Sequence, residues 1–386
     1  MWLCGMAALF EGFDNQSIGV AAPRLTLEFA LTVADKGFIL SAAPFGLFLG
    51  AAIGGRVADF LGHRRTLLVS MVLFGLCSLL TAVATGADFL LVARLLTGIG
   101  LGGALPNFIA LSSAAAPPQR RLSAVAIVMA GMPLGGAIAA LIALGEGLGW
   151  SWRTIFYVGG AGPLLIALLM WRMLPDAGAA KTRTTDGQVD SIGSALFGAH
   201  RGSTTLLLWT SFFFTQLVLL LMLNWLPTLI VGLGFSRTQA SWASIWFNLS
   251  GSLGSIFLAR LHAGPQRRLW VVITSVGMIL ALAAVPAVGA TFSLAAIACG
   301  LAGVFIVGAQ LILFALAPLY YERHIRGTGV GAAVSVGRLG SVVGPLFAGA
   351  LIAGGGSSGT VLLGIVPFVI VAGGAALALT WRGERS

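Results

Sequence analysis

Four charged residues lie inside long apolar stretches of the sequence, where a charged side chain is energetically costly and usually has a function. Glu11 and Asp14 are three residues apart, which places both carboxylates on one face of a helix. Two carboxylates so close together in a low dielectric cannot easily both ionise, so one is expected to take up a proton. Arg94 and Arg338 lie in two other apolar stretches, and a planar guanidinium binds a carboxylate through two hydrogen bonds. The four residues predict either a proton-coupled carboxylate site or fixed ion pairs.

The polar residues of these stretches also indicate which solute would fit. The two acids and two arginines sum to zero charge, so an anion that enters with one proton leaves the site neutral, which favours symport over uniport. Asn224, Gln216 and Gln310 are candidates for hydrogen bonds to a hydroxyl group of the solute. The alternative for each amide is the commoner role of joining membrane helices to one another.

The composition places the chain in a membrane. Of its 386 residues, 58% are hydrophobic and 9% are charged, whereas soluble domains carry roughly 25% charged residues. So few charges cannot cover a soluble surface. The net charge of +10 is spread thinly between apolar runs, which excludes nucleic-acid binding. We therefore expect a polytopic membrane protein with the lipid bilayer as its partner.

Twelve apolar runs are long enough to cross a bilayer as helices, which takes about 20 residues each. They are continuously apolar rather than alternating in polarity, which favours helices over a barrel. The runs lie near 2–24, 36–58, 66–86, 88–114, 121–145, 153–174, 204–231, 236–261, 269–289, 291–319, 326–354 and 359–381. The sequence thus predicts an all-α membrane protein with six-helix bundles at 1–174 and 204–386, joined by a flexible linker at 175–203.

Lysine and arginine placement predicts the orientation of the chain. Sixteen of these residues fall on the side of both termini and four on the opposite side. Basic loops face the cytoplasm, so both termini and the linker are expected there. The first run begins at Met1 without a basic segment before it, and polar residues interrupt it, unlike a signal peptide. We expect a longer natural N-terminus.

An internal repeat relates the two halves. A shift of 205 residues places Arg121 on Arg326, Gly135 on Gly340, and Gly98 on Gly303, together with further matches in the same runs. Each match is weak in a chain with 54 glycines. Together with the layout of six runs, a break and six runs, they predict two related halves with a site between them near the bilayer midplane.

Three motifs resemble the major facilitator superfamily. They are GGRVADFLGHRR at 54–65, RLLTGIGLGG at 94–103 and IRGTGVGAAVSVGRLGSVVGP at 325–345. In the first, Phe60 and His63 stand where that family usually has basic residues. The resemblance implies the twelve-helix major facilitator fold and a gate between its halves, in which Asp59 faces the start of the eleventh helix. The residues of this motif that match the family are Gly55, Asp59, Gly62, Arg64 and Arg65.

Shorter segments resemble the aromatic acid:proton symporters of that superfamily. They are EGFDNQ at 11–16, NWLP at 224–227 and ALAPLYY at 315–321, and Glu11 stands where aspartate is more usual. The resemblance implies a monomer in the bacterial inner membrane that imports an aromatic carboxylic acid, of the 3-hydroxyphenylpropionate or benzoate type, with protons by alternating access. It also implies that Arg94 serves helix packing and coupling, and that Arg338 binds the substrate carboxylate. From the residues alone, both arginines are candidates for substrate binding, and the sequence does not decide between them.

Metal, cofactor and enzyme chemistry are not expected. The cysteines Cys4, Cys77 and Cys299 form no C-x-x-C motif, and the histidines never pair at ligand spacing. The sequence contains no nucleophile elbow or phosphate-binding loop. A drug:proton antiporter of the same fold is the main alternative, although the segment AGMPLGG at 130–136 departs from the antiporter motif. A non-transporting sensor is more remote, because it would be expected to carry a signalling domain.

Overall fold

A computed structural model describes residues 2–114, 117, 128–129, 131–173, 192–198, 201–262, 266–289, 291–322 and 325–382. Six long helices precede residue 174 and six follow residue 201, which confirms the predicted all-α membrane fold. In chain order they are α1 (Trp2–Glu28), α2 (Val33–Leu61), α3 (His63–Ala82), α4 (Ala87–Ala114), α5 (Gly131–Leu144), α6 (Arg153–Met173), α7 (Gly202–Gly232), α8 (Arg237–His262), α9 (Arg267–Ala287), α10 (Phe292–Leu316), α11 (Arg326–Ala353) and α12 (Ser358–Thr380).

The described residues depart from the predicted runs in two places, and one predicted boundary cannot be compared. The predicted fifth run began at residue 121, but residues 121–127 lie outside the described part of the chain. In the stretch predicted as a linker, the described residues form a short helix at Ile192–Phe197, and α7 already begins at Gly202. The twelfth run consists of two helical segments, Ser358–Gly364 and Val366–Thr380.

The length of the apolar runs explains why most of these segments form membrane-spanning helices. Within the described ranges, nine helices are long and apolar enough to span a membrane. Helices α1 and α8 carry more polar residues, many of them buried inside the protein. Large apolar side chains such as Leu165, Trp171, Leu280, Ile297 and Ile370 are exposed on the outside of the bundle. A surface of this kind is stable in lipid and not in water.

Close helix contacts repeat in the two halves. A Cβ atom on Gly98 of α4 would overlap the backbone carbonyl of Ala43 on α2, so only glycine allows this approach. In the second half, a Cβ atom on Gly303 of α10 would overlap the carbonyl of Phe247 on α8 in the same way. Gly98 and Gly303 are related by the shift of 205 residues, so the sequence repeat corresponds to a repeated packing contact.

The two halves meet at one end of the molecule, which we call the closed end; there α1, α7 and α11 finish and α2 and α8 begin. The contacts between halves run from α1 to α7, from α2 to α11 and from α5 to α8. The Ser41 hydroxyl of α2 donates a hydrogen bond of 3.0 Å to the carbonyl of Val342 on α11. A Cβ atom on Gly37 would lie 3.6 Å from the Cα atom of Gly349. At the closed end α2 and α11 are therefore in direct contact.

Candidate functional site

A cavity of about 990 Å³, counted with the open space at its mouth, lies between the two halves, away from the closed end. Its wall combines apolar and aromatic side chains with a few polar ones, as is typical of small-molecule sites. Helices α1 and α5 contribute from the first half, and α7, α8, α10 and α11 from the second. The lining residues are Gly12, Asn15, Met129, Met132, Pro133, Phe212, Gln216, Leu219, Leu220, Leu223, Asn248, Ser252, Val307, Gln310, Phe314, Val334, Gly337 and Arg338.

Arg338 is the cationic residue of the cavity wall. Its side chain is partly exposed to the cavity, and its guanidinium donates no hydrogen bond to any residue that the structure describes. Two serines lie one turn away on α11, but Ser335 donates to the carbonyl of Gly331 at 2.9 Å and Ser341 to that of Arg338 at 2.6 Å. These hydroxyls are therefore bonded within their own helix, and the guanidinium remains available to an anion.

Arg94 has a different environment. Its Nη1 and Nη2 atoms donate to the two carboxylate oxygens of Asp14 at 2.8 and 2.6 Å. The side chains are 0% and 1% exposed, and the guanidinium lies 5.7 Å from the ring centre of Phe156. Neither Asp14 nor Arg94 lines the cavity. The pair thus joins α1 to α4 inside the first half.

Glu11 is buried beside this pair, but it is not part of it. Its side chain is 1% exposed, and neither carboxylate oxygen accepts a hydrogen bond within the described part of the chain. The charges of Glu11 and Arg338 attract each other, although no ion pair within 4.0 Å joins these two described residues. A buried carboxylate without a donor is costly in its charged form. Of the two acids in the EGFDNQ segment, Glu11 is the one whose charge no hydrogen bond stabilises.

The key polar residues lie at a similar depth. Counted along their helices, Glu11, Gln216, Gln310 and Arg338 are 15 to 18 residues from the closed end. At 1.5 Å per residue this is about 22 to 27 Å. Helices from both halves therefore bring these four residues to one level, near the middle of the spans.

Gln16 connects the two halves between this level and the closed end. Its Nε2 atom donates to the carbonyl of Leu223 on α7 at 2.8 Å, and its Oε1 atom accepts from Nδ2 of Asn248 on α8 at 3.1 Å. Pro227 explains why the Leu223 carbonyl is free, because proline has no N–H to bond the carbonyl four residues earlier. Our sequence reasoning missed Gln16. The signal in the sequence is Pro227, because a proline four residues after Leu223 leaves the Leu223 carbonyl to accept a hydrogen bond from another helix.

The predicted amides divide into two groups. Gln216 and Gln310 line the cavity, and the Oε1 atom of Gln310 is buried without a partner among the described residues. Asn224 lies behind the wall, where its Nδ2 atom donates to the carbonyl of Leu220 at 3.1 Å. Asn15, which the sequence did not single out as a contact, also lines the cavity. The structure thus brings Gln216 and Gln310 together with Arg338, but not Asn224 or Arg94.

The predicted gate lies at the end opposite the closed end. Gly62 has a φ angle of 82°, which glycine adopts without strain, and it joins α2 to α3. The Arg64 guanidinium donates a hydrogen bond of 2.6 Å to the carbonyl of Trp171, so it ties the start of α3 to α6. Arg65 follows on α3. The surroundings of Gly55 and Asp59 lie outside what the structure describes, so the gate stays a prediction.

Comparison with known proteins places this architecture in a family. The model of the Major Facilitator Superfamily matches residues 4–345. The chain is 41% identical to the 3-(3-hydroxy-phenyl)propionate transporter of Escherichia coli (strain K12), over 99% of this chain and 94% of that protein. It is 31% identical to the gallate transporter of Pseudomonas putida, over 91% and 84% of the two chains.

Solved structures share the fold. The crystal structure of a D-xylose-proton symporter matches with a TM-score of 0.80 at 18% identity, and the match covers 100% of this chain and 97% of that one. These relatives are transporters, so the chain is a multi-pass membrane transporter and not an enzyme. The chain belongs to the major facilitator superfamily, as its motifs predicted.

Proposed function

We propose that this transporter imports an aromatic carboxylic acid together with protons across the bacterial inner membrane. The observation that carries the proposal is Arg338, a cation in the cavity wall without a hydrogen-bond partner among the described residues. A carboxylate is the anion that a guanidinium binds through two parallel hydrogen bonds. Phe314, which is in edge-to-face contact with the buried Phe212, lines the same cavity and offers an aromatic surface to a ring. The relatives named for hydroxyphenylpropionate and gallate support this substrate class.

Glu11 is the proton-binding residue in this proposal. Without a bound substrate, its charge is partly balanced by that of Arg338, although these two described residues form no ion pair. When a substrate carboxylate binds Arg338, Glu11 loses this balance, and a proton on Glu11 restores it. Because the effect is mutual, a protonated Glu11 also leaves Arg338 free to bind the substrate more tightly. The Asp14–Arg94 pair stays intact and holds α1 in place.

Alternating access follows from the two-bundle architecture. We propose that the bundles at 1–174 and 204–386 rock about the cavity, joined by the linker at 175–203 on the cytoplasmic side. The excess of lysine and arginine on the side of both termini supports this orientation. The closed end then faces away from the cytoplasm, so the cavity extends towards the cytoplasm. Because one chain forms the whole cavity, we propose that a monomer is sufficient.

Uptake measurements test the proposal. Cells that express the chain are given labelled 3-(3-hydroxyphenyl)propionate, benzoate or a non-aromatic acid, with and without a proton uncoupler. We expect accumulation of an aromatic acid, and we expect the uncoupler to abolish it. Arg338→Gln should abolish uptake, and Arg338→Lys should retain part of it because the charge remains. Ser335→Ala is the matched control on the same helix, and its uptake should equal that of the wild type.

Two results would contradict the proposal. Accumulation that the uncoupler leaves unchanged would exclude proton coupling. Full uptake by Arg338→Gln would remove Arg338 from the substrate site. In both cases the amount of transporter in the membrane is measured alongside, so that a loss of protein is not taken for a loss of transport.

A further inference from the structure

The amides of the membrane helices differ in whether they are hydrogen-bonded. Asn224 and Asn248 donate to carbonyls of their own helices at 3.1 and 2.9 Å, although the Oδ1 atom of Asn224, which lies behind the cavity wall, accepts no hydrogen bond from the described residues. By contrast, Asn15, Gln216 and Gln310 all line the cavity, and none forms a hydrogen bond to a residue that the structure describes. Buried polar groups in folded proteins are nearly always hydrogen-bonded. Amides left without partners around one cavity therefore indicate a polar ligand.

Two of these amides lie next to each other on neighbouring helices. The rings of Phe212 on α7 and Phe314 on α10 are in edge-to-face contact, with centres 5.4 Å apart. Gln216 follows Phe212 by four residues, and Gln310 precedes Phe314 by four residues. Because α7 and α10 run in opposite directions, both glutamines lie one turn, about 6 Å, nearer the closed end than the two rings. Gln216 and Gln310 thus form an amide pair beside an aromatic pair.

Gln310 provides the most direct sign of a missing donor. Its side chain is 6% exposed, and its Oε1 atom is buried without a partner among the described residues. A buried acceptor without a donor is unfavourable, and a ligand that brings a donor removes that cost. A carboxylate has no proton to donate at neutral pH, whereas a phenolic hydroxyl donates one hydrogen bond and accepts another. An amide pair offers the matching acceptor and donor groups.

Arg338 lies on α11, a helix that packs against this aromatic pair. Its neighbour Gly337 packs against Phe212, and a Cβ atom on Gly337 would lie 3.4 Å from the Phe212 side chain. Phe212 therefore packs against α11, which carries Arg338, and lies one turn from Gln216 on α7. A substrate ring in this part of the cavity would have a carboxylate site and a hydroxyl site in the same wall.

We infer that Gln216 and Gln310 form a subsite for the ring hydroxyl, so that the preferred substrates are ring-hydroxylated aromatic acids. The inference rests on the proposed function, since it needs Arg338 to hold the carboxylate of the same molecule. The phenolic hydroxyl donates to Oε1 of Gln310 and accepts from the amide of Gln216. An acid without the hydroxyl leaves the Gln310 acceptor unpaired and binds less well.

Competition measurements test the subsite. Unlabelled 3-(3-hydroxyphenyl)propionate and 3-phenylpropionate compete against uptake of a labelled aromatic acid that the wild type transports. For the wild type we expect the hydroxylated acid to inhibit at about fivefold to tenfold lower concentration, as one or two hydrogen bonds allow. Gln310→Met keeps the length of the side chain but removes both polar groups. This variant should bring the ratio of the two inhibitory concentrations close to one, because only the hydroxylated acid loses affinity.

Controls separate this inference from the proposed function. Asn15→Leu removes another unpaired amide of the cavity and should leave the ratio of inhibitory concentrations unchanged. A ratio close to one in this variant would overturn the assignment to Gln216 and Gln310. A ratio that stays at its wild-type value in Gln310→Met and in Gln216→Met would also overturn it. If Gln310→Met does not reach the membrane, Gln310→Asn replaces it in the test. Its side chain is one methylene shorter, so the amide lies farther from the hydroxyl and the ratio should also fall. Failure of the proposed function is a distinct result, in which the wild type takes up no labelled aromatic acid at all.

Discussion

The two acids of the first helix should differ in how much the same chemical change affects the stability of the fold. Asp14→Asn and Glu11→Gln each replace a buried carboxylate by an amide of the same shape. Asp14 accepts two hydrogen bonds of 2.8 and 2.6 Å from Arg94, and both side chains are buried. Glu11 accepts none from the described residues. We therefore expect Asp14→Asn to destabilise the fold and Glu11→Gln to leave its stability unchanged.

The geometry of the ion pair sets the size of the effect. Removing one charge of a buried pair leaves the other uncompensated and costs about 3–5 kcal/mol. In Asp14→Asn the amide oxygen still accepts one bond from Arg94, but the amide N–H₂ group faces a second donor. A loss near the lower limit, about 3 kcal/mol, is expected. The double variant Asp14→Asn with Arg94→Gln removes both charges and should recover most of the loss.

Denaturant unfolding in detergent, followed by tryptophan fluorescence, measures these differences. The chain contains 10 tryptophans, which supply the signal. The transport readout is separate: Glu11→Gln should retain counterflow exchange and lose uphill accumulation, because exchange needs no net proton movement. Equal free energies of unfolding for Asp14→Asn and the wild type would refute this account of the pair. A loss in Glu11→Gln as large as in Asp14→Asn would refute the contrast between the acids.

Three further predictions concern helix contacts. Gln16→Leu removes the two Gln16 hydrogen bonds that join the halves. A cysteine introduced at Ser41 should then be labelled faster by a thiol reagent added at the closed end. An unchanged labelling rate would show that Gln16 does not hold the halves together. Gly37→Trp places a ring between α2 and α11 and should prevent these helices from packing together at the closed end. Uptake should then fall sharply while substrate binding is retained. Normal uptake would show that the closed end accommodates the ring. A side chain at Gly340 would overlap a carbonyl of α7, whereas Gly331 of the same helix has open space. Gly340→Leu should therefore lower the melting temperature, and Gly331→Leu should not; equal effects would contradict the packing.

The fold was largely predictable, because its determinants are local in the sequence. Apolar runs of about 20 residues predict membrane helices without any tertiary information. The repeat relating Gly98 to Gly303 predicted matching halves, and both glycines form matching helix contacts. Boundaries were less predictable where composition is mixed. The short helix Ile192–Phe197 lies in a stretch whose glycine, threonine and aspartate content resembles that of a linker.

The partners of the four intramembrane charges were not predictable. Spacing placed Glu11 and Asp14 on one helix, but it cannot tell which helix faces each of them. The separation between Asp14 and Arg94 is 80 residues, so only the packing of α1 against α4 decides their pairing. The same holds for Gln16 and Leu223, which are 207 residues apart. Pro227 identifies a carbonyl without an intrahelical partner, but it does not identify the donor.

The unequal pairing of the four charges has a consequence for the driving force of transport. Asp14 and Arg94 neutralise each other within the first half, so Glu11 and Arg338 are the two of these four charges that remain outside an ion pair among the described residues. An acid anion that binds with one proton adds no net charge to this arrangement. Loaded and empty transporters would then carry the same charge through the electric field of the membrane. With one proton per anion, uptake would follow the pH gradient and would not respond to the membrane potential, which is worth about 2.3 kcal/mol per charge at 100 mV.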